Sequence, residues 1–268
     1  MSDTVQSDYQ ARFSGIARLY GDEGAKRLRA ARVCVIGVGG VGSWAVEALA
    51  RTGVGALTLV DFDEVCVSNV NRQLPALTGE IGKSKVQVLE ARVSEINLEC
   101  EVTAIEEFFT SINSDSILGG EFDCVLDAID DVANKALLLA ECSRRQIPVV
   151  TVGGAGGRRD ATALRVSDLA FTTHDRLLGR LRKILRTLYK FPEDPKTAFG
   201  IPCVYSVEAP VFPQPDGSVC NVKAEGMELR MNCNSGYGSA SFVTGAFGFA
   251  AAAEVVRLIA ATESGNKR

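Results

Sequence analysis

The chain has 268 residues, of which 46% are hydrophobic and 23% are charged, as expected of a globular protein with a sizeable core. Its net charge of −4 excludes a polycationic nucleic-acid-binding protein, so any contact with nucleic acid must depend on a local patch. None of the eight cysteines forms a Cys-x-x-Cys pair, and we therefore expect neither a disulfide framework nor a structural zinc site. This cysteine usage and the polar residues 1–10 predict a cytoplasmic protein.

The chain opens with an N-terminal helical segment, residues 1–30. Residues 8–30 are predicted to form two short helices, with Gly21 and Gly24 as punctuation. Arg12 and Arg18 lie in this segment, ahead of the first strand.

A glycine-rich turn follows the first predicted strand, residues 33–36. The turn contains Gly37, Gly39 and Gly42, and a helical pattern begins at Ser43. Strand, glycine turn and helix in this order indicate a nucleotide site, because the helix N-terminus offers free N–H groups to a phosphate. By itself the turn is compatible with NAD, FAD or ATP.

A second strand, residues 56–60, ends at Asp61, where such folds place a carboxylate on a ribose hydroxyl. Residues 62–73 then form a loop dense in side-chain donors and acceptors, which suits a polar ligand. Lys83 and Lys85 fall at the start of a helix predicted over residues 86–97. The helix dipole disfavours cations there, so a lysine at this place indicates a phosphate.

Three acids follow the fourth predicted strand, residues 122–126, which comes after a strand at 101–105. Asp127, Asp130 and Asp131 would lie at the ligand edge of a parallel sheet. They repel one another unless a cation or hydrogen-bond donors compensate, and magnesium is the natural choice of cation beside a triphosphate. An N-cap of the next helix, residues 134–146, explains one of the three but not all.

A fifth strand, residues 148–152, leads into the glycine loop 153–157 and a strand at 163–166. The glycine loop is either a roof over a small molecule or a simple turn. The most basic stretch of the chain, residues 174–190, has leucine and isoleucine at helical spacing through Leu188, so one face is predicted to pack inward. The opposite face predicts a polyanion contact, with a solvated face as the alternative. Its candidate nucleic-acid-binding residues are Arg176, Arg180, Arg182, Lys183 and Arg186.

Short strand-like pieces at 202–231 precede a loop around Cys233 and an apolar segment at 239–261. That segment is long enough to span a bilayer, but its alanines, glycines and two charges also suit a buried helix at a subunit interface. We predict an α/β fold, with a Rossmann-like, mostly parallel sheet flanked by helices and a C-terminal mixed extension. Residues 31–170 form the nucleotide-binding domain, and 171–268 complete the same unit.

Five motifs occur in order and together resemble the ubiquitin-activating-like adenylyltransferase superfamily. They cover about residues 10–160 and read Gly37-x-Gly39-Gly40-Val41-Gly42, Asp61-x-Asp63, Ser68-Asn69-x-Asn71-Arg72-Gln73, Gly82-x-x-Lys85 and Asp127-x-x-Asp130. The paired Cys-x-x-Cys zinc motifs of molybdopterin- and thiamine-pathway members are missing, and the chain is too short for a separate catalytic-cysteine domain. With the basic stretch and the Cys233 loop, the chain looks similar to the tRNA threonylcarbamoyladenosine dehydratase family.

The resemblance implies a function and a set of site residues. In that family ATP activates the carboxylate of threonylcarbamoyladenosine at position 37 of tRNA, next to the anticodon, and cyclisation with loss of water follows. It implies ribose binding by Asp61, magnesium at Asp130 with Asp127, and a homodimer in which Arg12 reaches the partner's triphosphate. Arg72, Lys85, Asp130 and Arg12 would be catalytic. The implied ATP-binding residues are Gly37, Gly39, Gly40, Val41, Gly42, Asp61, Asp63, Ser68, Asn69, Asn71, Arg72, Gln73, Lys85, Ala128 and Asp130.

Three alternatives remain open from the sequence. The same site could adenylate the C-terminus of a small sulfur-carrier protein. Cys233 or Cys220 could relay sulfur as a partner of a cysteine desulfurase, although an incidental thiol is the favoured interpretation because no cation is placed to lower its pKa. A non-catalytic NAD-sensing or scaffold protein belongs to another class, and association of 239–261 with a membrane is the alternative to a cytoplasmic location.

Overall fold

The computed structural model describes residues 2–222 and 238–261. The strands are β1 (Arg32–Ile36), β2 (Ala56–Val60), β3 (Glu101–Ile105), β4 (Cys124–Asp127), β5 (Val149–Val152), β6 (Leu164–Asp168), β7 (Pro202–Ser206), β8 (Phe212–Pro213) and β9 (Val219–Cys220). The helices are α1 (Ser2–Ala30), α2 (Gly42–Arg51), α3 (Lys85–Ile96), α4 (Ser114–Ile117), α5 (Val132–Arg145), α6 (Arg176–Tyr189) and α7 (Ser241–Ala260).

Seven strands form one sheet in the order β3-β2-β1-β4-β5-β7-β6. Every neighbouring pair is parallel except β6 and β7, which run antiparallel, and β8 pairs with β9 in a separate hairpin. The predicted α/β fold with a mostly parallel sheet is therefore confirmed. The division into segments at 30 and 170 stays a prediction.

Helices cover both faces of the sheet, which explains why β1 is a continuous apolar run. Val33 and Val35 pack into one core with α2 and α7, whereas Cys34 and Ile36 pack into a second core with α5 and α6. Successive residues of a strand point to opposite faces, so one apolar strand supplies both cores.

Helix α1 is interrupted at Gly21, whose φ of 72° and ψ of 167° are not helical. The predicted pair of N-terminal helices is therefore confirmed at Gly21. Gly24, the second predicted punctuation point, lies inside the later helix.

The apolar segment near the C-terminus forms α7, which is long and apolar enough to cross a membrane. Half of its apolar window is buried inside the protein, where Phe247 and Ala251 pack into the core that contains Leu49 of α2. One face of α7 is therefore buried within this chain, whereas its predicted place at a subunit interface stays a prediction.

The register of the central strands brings three loops together. Ile36 pairs with Val60 of β2 and with Asp127 of β4, so the carboxyl ends of these strands are level. Gly37, Asp61 and Ala128 follow at the same edge, where open α/β sheets bind their ligands.

Candidate active site

A cavity of about 1850 Å³ opens at the carboxyl ends of the central strands. Most of the predicted ATP-binding residues line it, and they come from three different loops. The lining includes Gly37, Gly39, Gly40, Val41, Asp61, Asp63, Ser68, Asn69, Asn71, Arg72, Gln73, Lys85, Ala128 and Asp130. The structure thus brings residues separated by up to 93 positions into one pocket, while their role in binding ATP stays a prediction.

The glycine turn lines the pocket with its backbone, and two of its glycines are required by close contacts. Gly37 has φ of 85°, and a Cβ there would meet the Ala128 carbonyl oxygen at 2.8 Å. A Cβ on Gly42 would overlap the Gly37 carbonyl oxygen. Gly42 is not among the lining residues, so it shapes the turn rather than forming its surface.

Asp61 holds the turn and the β2 loop together. Its Oδ2 accepts a hydrogen bond from the Val38 N–H at 2.8 Å, and its Oδ1 accepts one from the Asp63 N–H at 2.9 Å. Burial raises the pKa of the Asp61 carboxyl, while Lys85 and the two N–H donors oppose that shift. The carboxylate is thus preorganised at the pocket wall.

Lys85 extends from the start of α3 into the pocket, with 5% of its side chain exposed. Its Nζ lies 2.7 Å from Oδ2 of Asp63, whose side chain is 54% exposed. The ion pair satisfies one of the three N–H donors of the ammonium group, which leaves others for a ligand. Lys83 does not share this arrangement, because it pairs with Glu80 at 3.0 Å and is more than half exposed.

The loop after β2 presents Asn69 and Arg72. Asn69 is buried, and its Oδ1 accepts from the Cys66 N–H at 3.0 Å, which directs the amide NH₂ elsewhere. The Arg72 guanidinium donates to the Ser68 carbonyl at 2.6 Å and to Asn71 Oδ1 at 3.1 Å. These bonds hold the cation in one orientation at the pocket surface.

Two residues outside the predicted site hold the backbone of Arg72 in place. Trp44 Nε1 of α2 donates to the Arg72 carbonyl oxygen at 3.1 Å, and Thr244 Oγ1 of α7 donates to the same oxygen at 2.9 Å. Thr244 lies 172 positions along the chain from Arg72, so no local pattern signals the contact.

Two buried polar atoms beside the pocket have no hydrogen-bond partner within the described residues: Gln73 Oε1 and Ser84 Oγ. Both residues line the cavity. An unpaired buried polar atom costs about 1–3 kcal/mol, so a ligand that supplies its partner gains by binding here. Gln73 is part of the predicted site, whereas Ser84 is not, although it lies between Lys83 and Lys85.

Asp127 differs from its predicted role as a magnesium ligand. It has no exposed surface, and its Oδ2 lies 2.9 Å from Lys135 Nζ and accepts from Thr151 Oγ1 at 2.6 Å. It is also absent from the pocket lining. A carboxylate already neutralised by a buried lysine does not need a metal ion, so Asp127 is removed from the candidate metal site.

The two remaining acids of this cluster have different surroundings. Asp131 caps α5, because its Oδ1 accepts from the Asn134 N–H at 2.9 Å, and α5 therefore begins at Val132, before the predicted start. Asp130 is exposed, lines the pocket and has no hydrogen bond or ion pair within the described part of the chain. One exposed carboxylate fits Mg²⁺, which usually takes one or two carboxylates together with phosphate oxygens and water.

Helix α6 starts at the pocket and leads away from it. Leu177 lines the cavity, and Arg180 and Lys183 are exposed and have no ion pair within the described residues. The inward face is shorter than predicted, because Leu178, Leu181 and Leu185 are buried but Leu188 is 68% exposed.

Three of the basic side chains of α6 have intramolecular contacts. Arg176 lies over the Phe212 ring at 5.3 Å, and Arg186 donates to the Pro192 carbonyl at 3.1 Å. Arg182 donates to Thr172 Oγ1, and burial together with Arg186 lowers the pKa of its guanidinium. The cationic face is therefore narrower than predicted, since Arg182 and Arg186 are half-buried.

Arg12 lies outside the pocket. It pairs with Asp8 at 2.7 Å and donates to the Ile96 carbonyl at 3.3 Å, so in a single chain it does not reach the nucleotide residues. Of the candidate thiols, Cys220 is half-buried with its Sγ 3.0 Å from the Val222 carbonyl, and Cys233 lies outside the described residues.

The model of the ThiF family matches residues 13–268. The tRNA threonylcarbamoyladenosine dehydratase of Haemophilus influenzae is 47% identical over 249 residues, covering 93% of each chain. The Escherichia coli protein of the same name is 46% identical over 259 residues, covering 96% of each chain. The molybdopterin-synthase adenylyltransferase of E. coli is 34% identical, but over only 51% of this chain and 54% of its own.

The fold is also similar to solved structures. The E. coli tRNA N6-threonylcarbamoyladenosine dehydratase TcdA in complex with ATP has a TM-score of 0.82 and 42% identity, over 93% of this chain and 94% of that one. The AMP complex of the same enzyme gives a TM-score of 0.83 with the same identity and coverage.

Proposed function

The chain belongs to the ThiF family, and we propose that within this family it is an ATP-dependent tRNA threonylcarbamoyladenosine dehydratase. The pocket carries the proposal, because it combines the buried cation Lys85, the oriented guanidinium of Arg72 and the exposed carboxylate of Asp130 around one glycine turn. The relatives of that name support it, since they match this chain over more than nine tenths of its length. The sulfur-carrier alternative receives less support, because its representative matches only half of the chain.

The reaction has two displacements. A carboxylate oxygen of the threonyl group forms a bond to the α-phosphorus of ATP, and pyrophosphate leaves. A nitrogen of the ureido group of the same nucleoside then attacks the activated carbonyl carbon, loses its proton and expels AMP. The nucleoside loses the elements of water, and hydrolysis of ATP to AMP accounts for them. Neither step needs a nucleophile from the enzyme.

The residues supply orientation and positive charge. Charge builds on the phosphoryl oxygens during the first displacement, so fixed N–H donors aimed at that position lower the barrier. Lys85 and Arg72 provide these donors, and the amide of Asn69 adds one. Asp61 accepts from the ribose, and the N-terminus of α2 faces the phosphates through the glycine turn.

Magnesium is part of the proposal, with Asp130 as its protein ligand. The exposed carboxylate of Asp130 would hold the ion, since Mg²⁺ is usually bound by one or two carboxylates together with phosphate oxygens. When bound, the ion supplies charge neutralisation between phosphate oxygens.

The proposed partner is tRNA, with the anticodon loop contacting α6 through Arg176, Arg180 and Lys183. Arg182 and Arg186 belong to the same helix and contribute to its positive potential. The proposed assembly is a homodimer in which Arg12 of one subunit completes the site of the other, and the proposed location is the cytoplasm. A cysteine desulfurase or sulfur-acceptor protein is the alternative partner, through Cys220 or Cys233.

The test incubates the protein with ATP, magnesium and tRNA that carries threonylcarbamoyladenosine. We expect AMP to form only with this tRNA, and mass spectrometry of the nucleosides to show the loss of one water. The enzyme proposal is wrong if AMP release does not depend on tRNA.

Lys85→Ala and Asp130→Ala are expected to lower the rate by about 10²–10³-fold, as for the loss of a preorganised transition-state contact. Both should fold normally, because Asp63, which Lys85→Ala leaves without its ion-pair partner, is already more than half exposed, and Asp130 is itself exposed. Lys26→Ala and Asp22→Ala are matched controls on the exposed surface of α1 and should retain full activity. Near-normal rates in the pocket variants would refute their assignments.

A further inference from the structure

The pocket extends beyond the nucleotide residues into a wall that the five motifs do not include. Val152 to Gly156 and Leu177 form this wall, at the end of β5 and the start of α6. Ligand pockets usually measure about 300–1,000 Å³, so a cavity of about 1850 Å³ has room for a second ligand beside a nucleotide. The modified nucleoside of the proposed reaction must lie within bonding distance of the α-phosphate, and this wall lines the same cavity as the nucleotide residues.

Asp175 connects this wall to α6. Its Oδ1 accepts from the Leu178 N–H at 3.0 Å and so caps the helix, while its Oδ2 accepts from the Gly154 N–H at 2.9 Å. The carboxylate is therefore shared between the first turn of α6 and the glycine loop. The contact is close, because a Cβ on Gly153 would lie 2.5 Å from Asp175 Oδ2.

The surroundings of Asp175 make this link rigid. Its side chain is 3% exposed, and Oδ2 lies 3.9 Å from the equally buried guanidinium of Arg158. Arg158 also donates to the His174 carbonyl at 3.1 Å, next to the cap itself. A buried carboxylate that makes two charge-assisted hydrogen bonds cannot adopt another rotamer without losing both.

We infer that Asp175 is a positioning residue that fixes the loop 153–156 relative to α6, so that tRNA bound on α6 brings its modified nucleoside against the pocket wall in register with ATP. The inference rests on the proposed function. The basic side chains that face tRNA and the loop that faces the nucleoside belong to one rigid body, and Asp175 joins its two parts.

Asp175→Ser separates the two roles of the carboxylate. Serine is a good N-cap and keeps the bond to the Leu178 N–H, but it is too short to reach the Gly154 N–H. Asp168→Ser is the matched control, because Asp168 also caps a turn through the Ala170 N–H at 2.8 Å and ties a loop through the Gly200 N–H at 2.7 Å, away from the pocket. If Asp175→Ser fails to fold, Asp175→Asn replaces it, since the two N–H groups meet different oxygens of Asp175 and the NH₂ group of asparagine cannot accept a hydrogen bond in place of one of them.

The measurements are kcat and KM for tRNA from AMP release, and the Kd of ATP by direct titration. We expect Asp175→Ser to lower kcat/KM for tRNA by at least about tenfold, roughly the loss of one charge-assisted hydrogen bond, with the Kd of ATP within about twofold of the parent. Asp168→Ser should leave both values unchanged.

A double-mutant cycle with Arg180→Glu tests the connection itself. If Asp175 holds α6 and the loop together, the penalty of Arg180→Glu shrinks in the Asp175→Ser protein. Additive penalties, an unchanged kcat/KM or an equal weakening of ATP binding would each overturn the inference. An inactive parent protein would instead refute the proposed function, so the two failures are distinguishable.

Discussion

Lys135 has no exposed surface and lies beneath the loop that carries Asp130. Its Nζ is 2.9 Å from Asp127 Oδ2 and donates to the Ile129 carbonyl oxygen at 3.0 Å. The Ile129 N–H in turn donates to Asp127 Oδ1 at 3.1 Å. The buried pair of Lys135 and Asp127 therefore fixes the backbone of Ile129, directly before Asp130. The position of the Asp130 carboxylate depends on these two side chains, although neither lines the pocket.

Replacement of Lys135 by methionine leaves Asp127 as an uncompensated buried charge. We expect the free energy of unfolding to fall by about 3–5 kcal/mol, measured by urea denaturation. The exposed Lys26→Met is the control and should change it by less than about 0.5 kcal/mol. A loss of less than about 1 kcal/mol for Lys135→Met would show that Asp127 does not need this partner.

Individual site residues can be predicted from the sequence where a charged residue directly follows a strand or begins a helix. Asp61, Lys85 and Asp130 were identified because each follows or opens a recognisable element, and all three line the pocket. Asp127 is predicted to bind the metal because the sequence places three acids within five residues, but it does not show that Lys135, eight positions later, contacts Asp127. Which acid receives which partner depends on how α5 packs on the sheet.

Helix α6 could be predicted from the sequence, but the partners of its basic side chains could not. The leucine spacing predicts the helix, which spans Arg176–Tyr189, and most of its buried face, although Leu188 is exposed. The contacts of Arg182 with Thr172 and of Arg186 with Pro192 could not be predicted, because they depend on loops folded around the helix. The helix therefore exposes fewer unpaired cations than the five basic residues that the sequence analysis names as candidates.

Charge reversal separates the exposed cations of α6 from the paired ones. Arg180→Glu and Lys183→Glu should weaken tRNA binding, and each should reduce the slope of log affinity against log salt by about 1. The same change at Lys26, on the exposed surface of α1, is the control. Binding of tRNA with an unchanged salt slope in both α6 variants would contradict the nucleic-acid role of this helix.

The two cores bury several thiols, and this makes the stability of the whole molecule sensitive to alkaline pH. Burial raises the pKa of Cys124 and of Cys142 to about 12. A thiol in the unfolded chain has a pKa near 8.5. Between these values the unfolded state has released protons that the folded state retains, so stability is unaffected below about pH 8.5 and falls as the pH rises above it.

Each such thiol should contribute about 1.4 kcal/mol of lost stability per pH unit in this window. Urea denaturation between about pH 8 and 10 measures the slope, since the buried thiols release no proton until the protein unfolds. Cys124→Ala should reduce that slope by about 1.4 kcal/mol per unit. An identical slope in this variant would mean that Cys124 ionises as readily in the folded protein as in the unfolded one.

At the level of the assembly, the proposed role of Arg12 can be tested only in a dimer, because within one chain Arg12 lies outside the pocket. In a dimer whose sites use Arg12 from the other subunit, Arg12→Ala and Lys85→Ala should each lose nearly all of their activity. Mixing and reassembling them in equal amounts should restore about a quarter of the parental AMP release, because half of the dimers then contain one intact site of two. No recovery after verified subunit exchange would show that Arg12 does not act across an interface.

The bond from Thr244 to the Arg72 carbonyl ties the catalytic loop to α7, the one described helix that is apolar enough for a bilayer. If α7 moved into lipid, Arg72 would lose this support, and the core shared with α2 would open beneath the glycine turn. Lipid insertion and nucleotide binding therefore compete for the same helix. Insertion of α7 into a bilayer would therefore remove a hydrogen bond that supports Arg72 at the pocket.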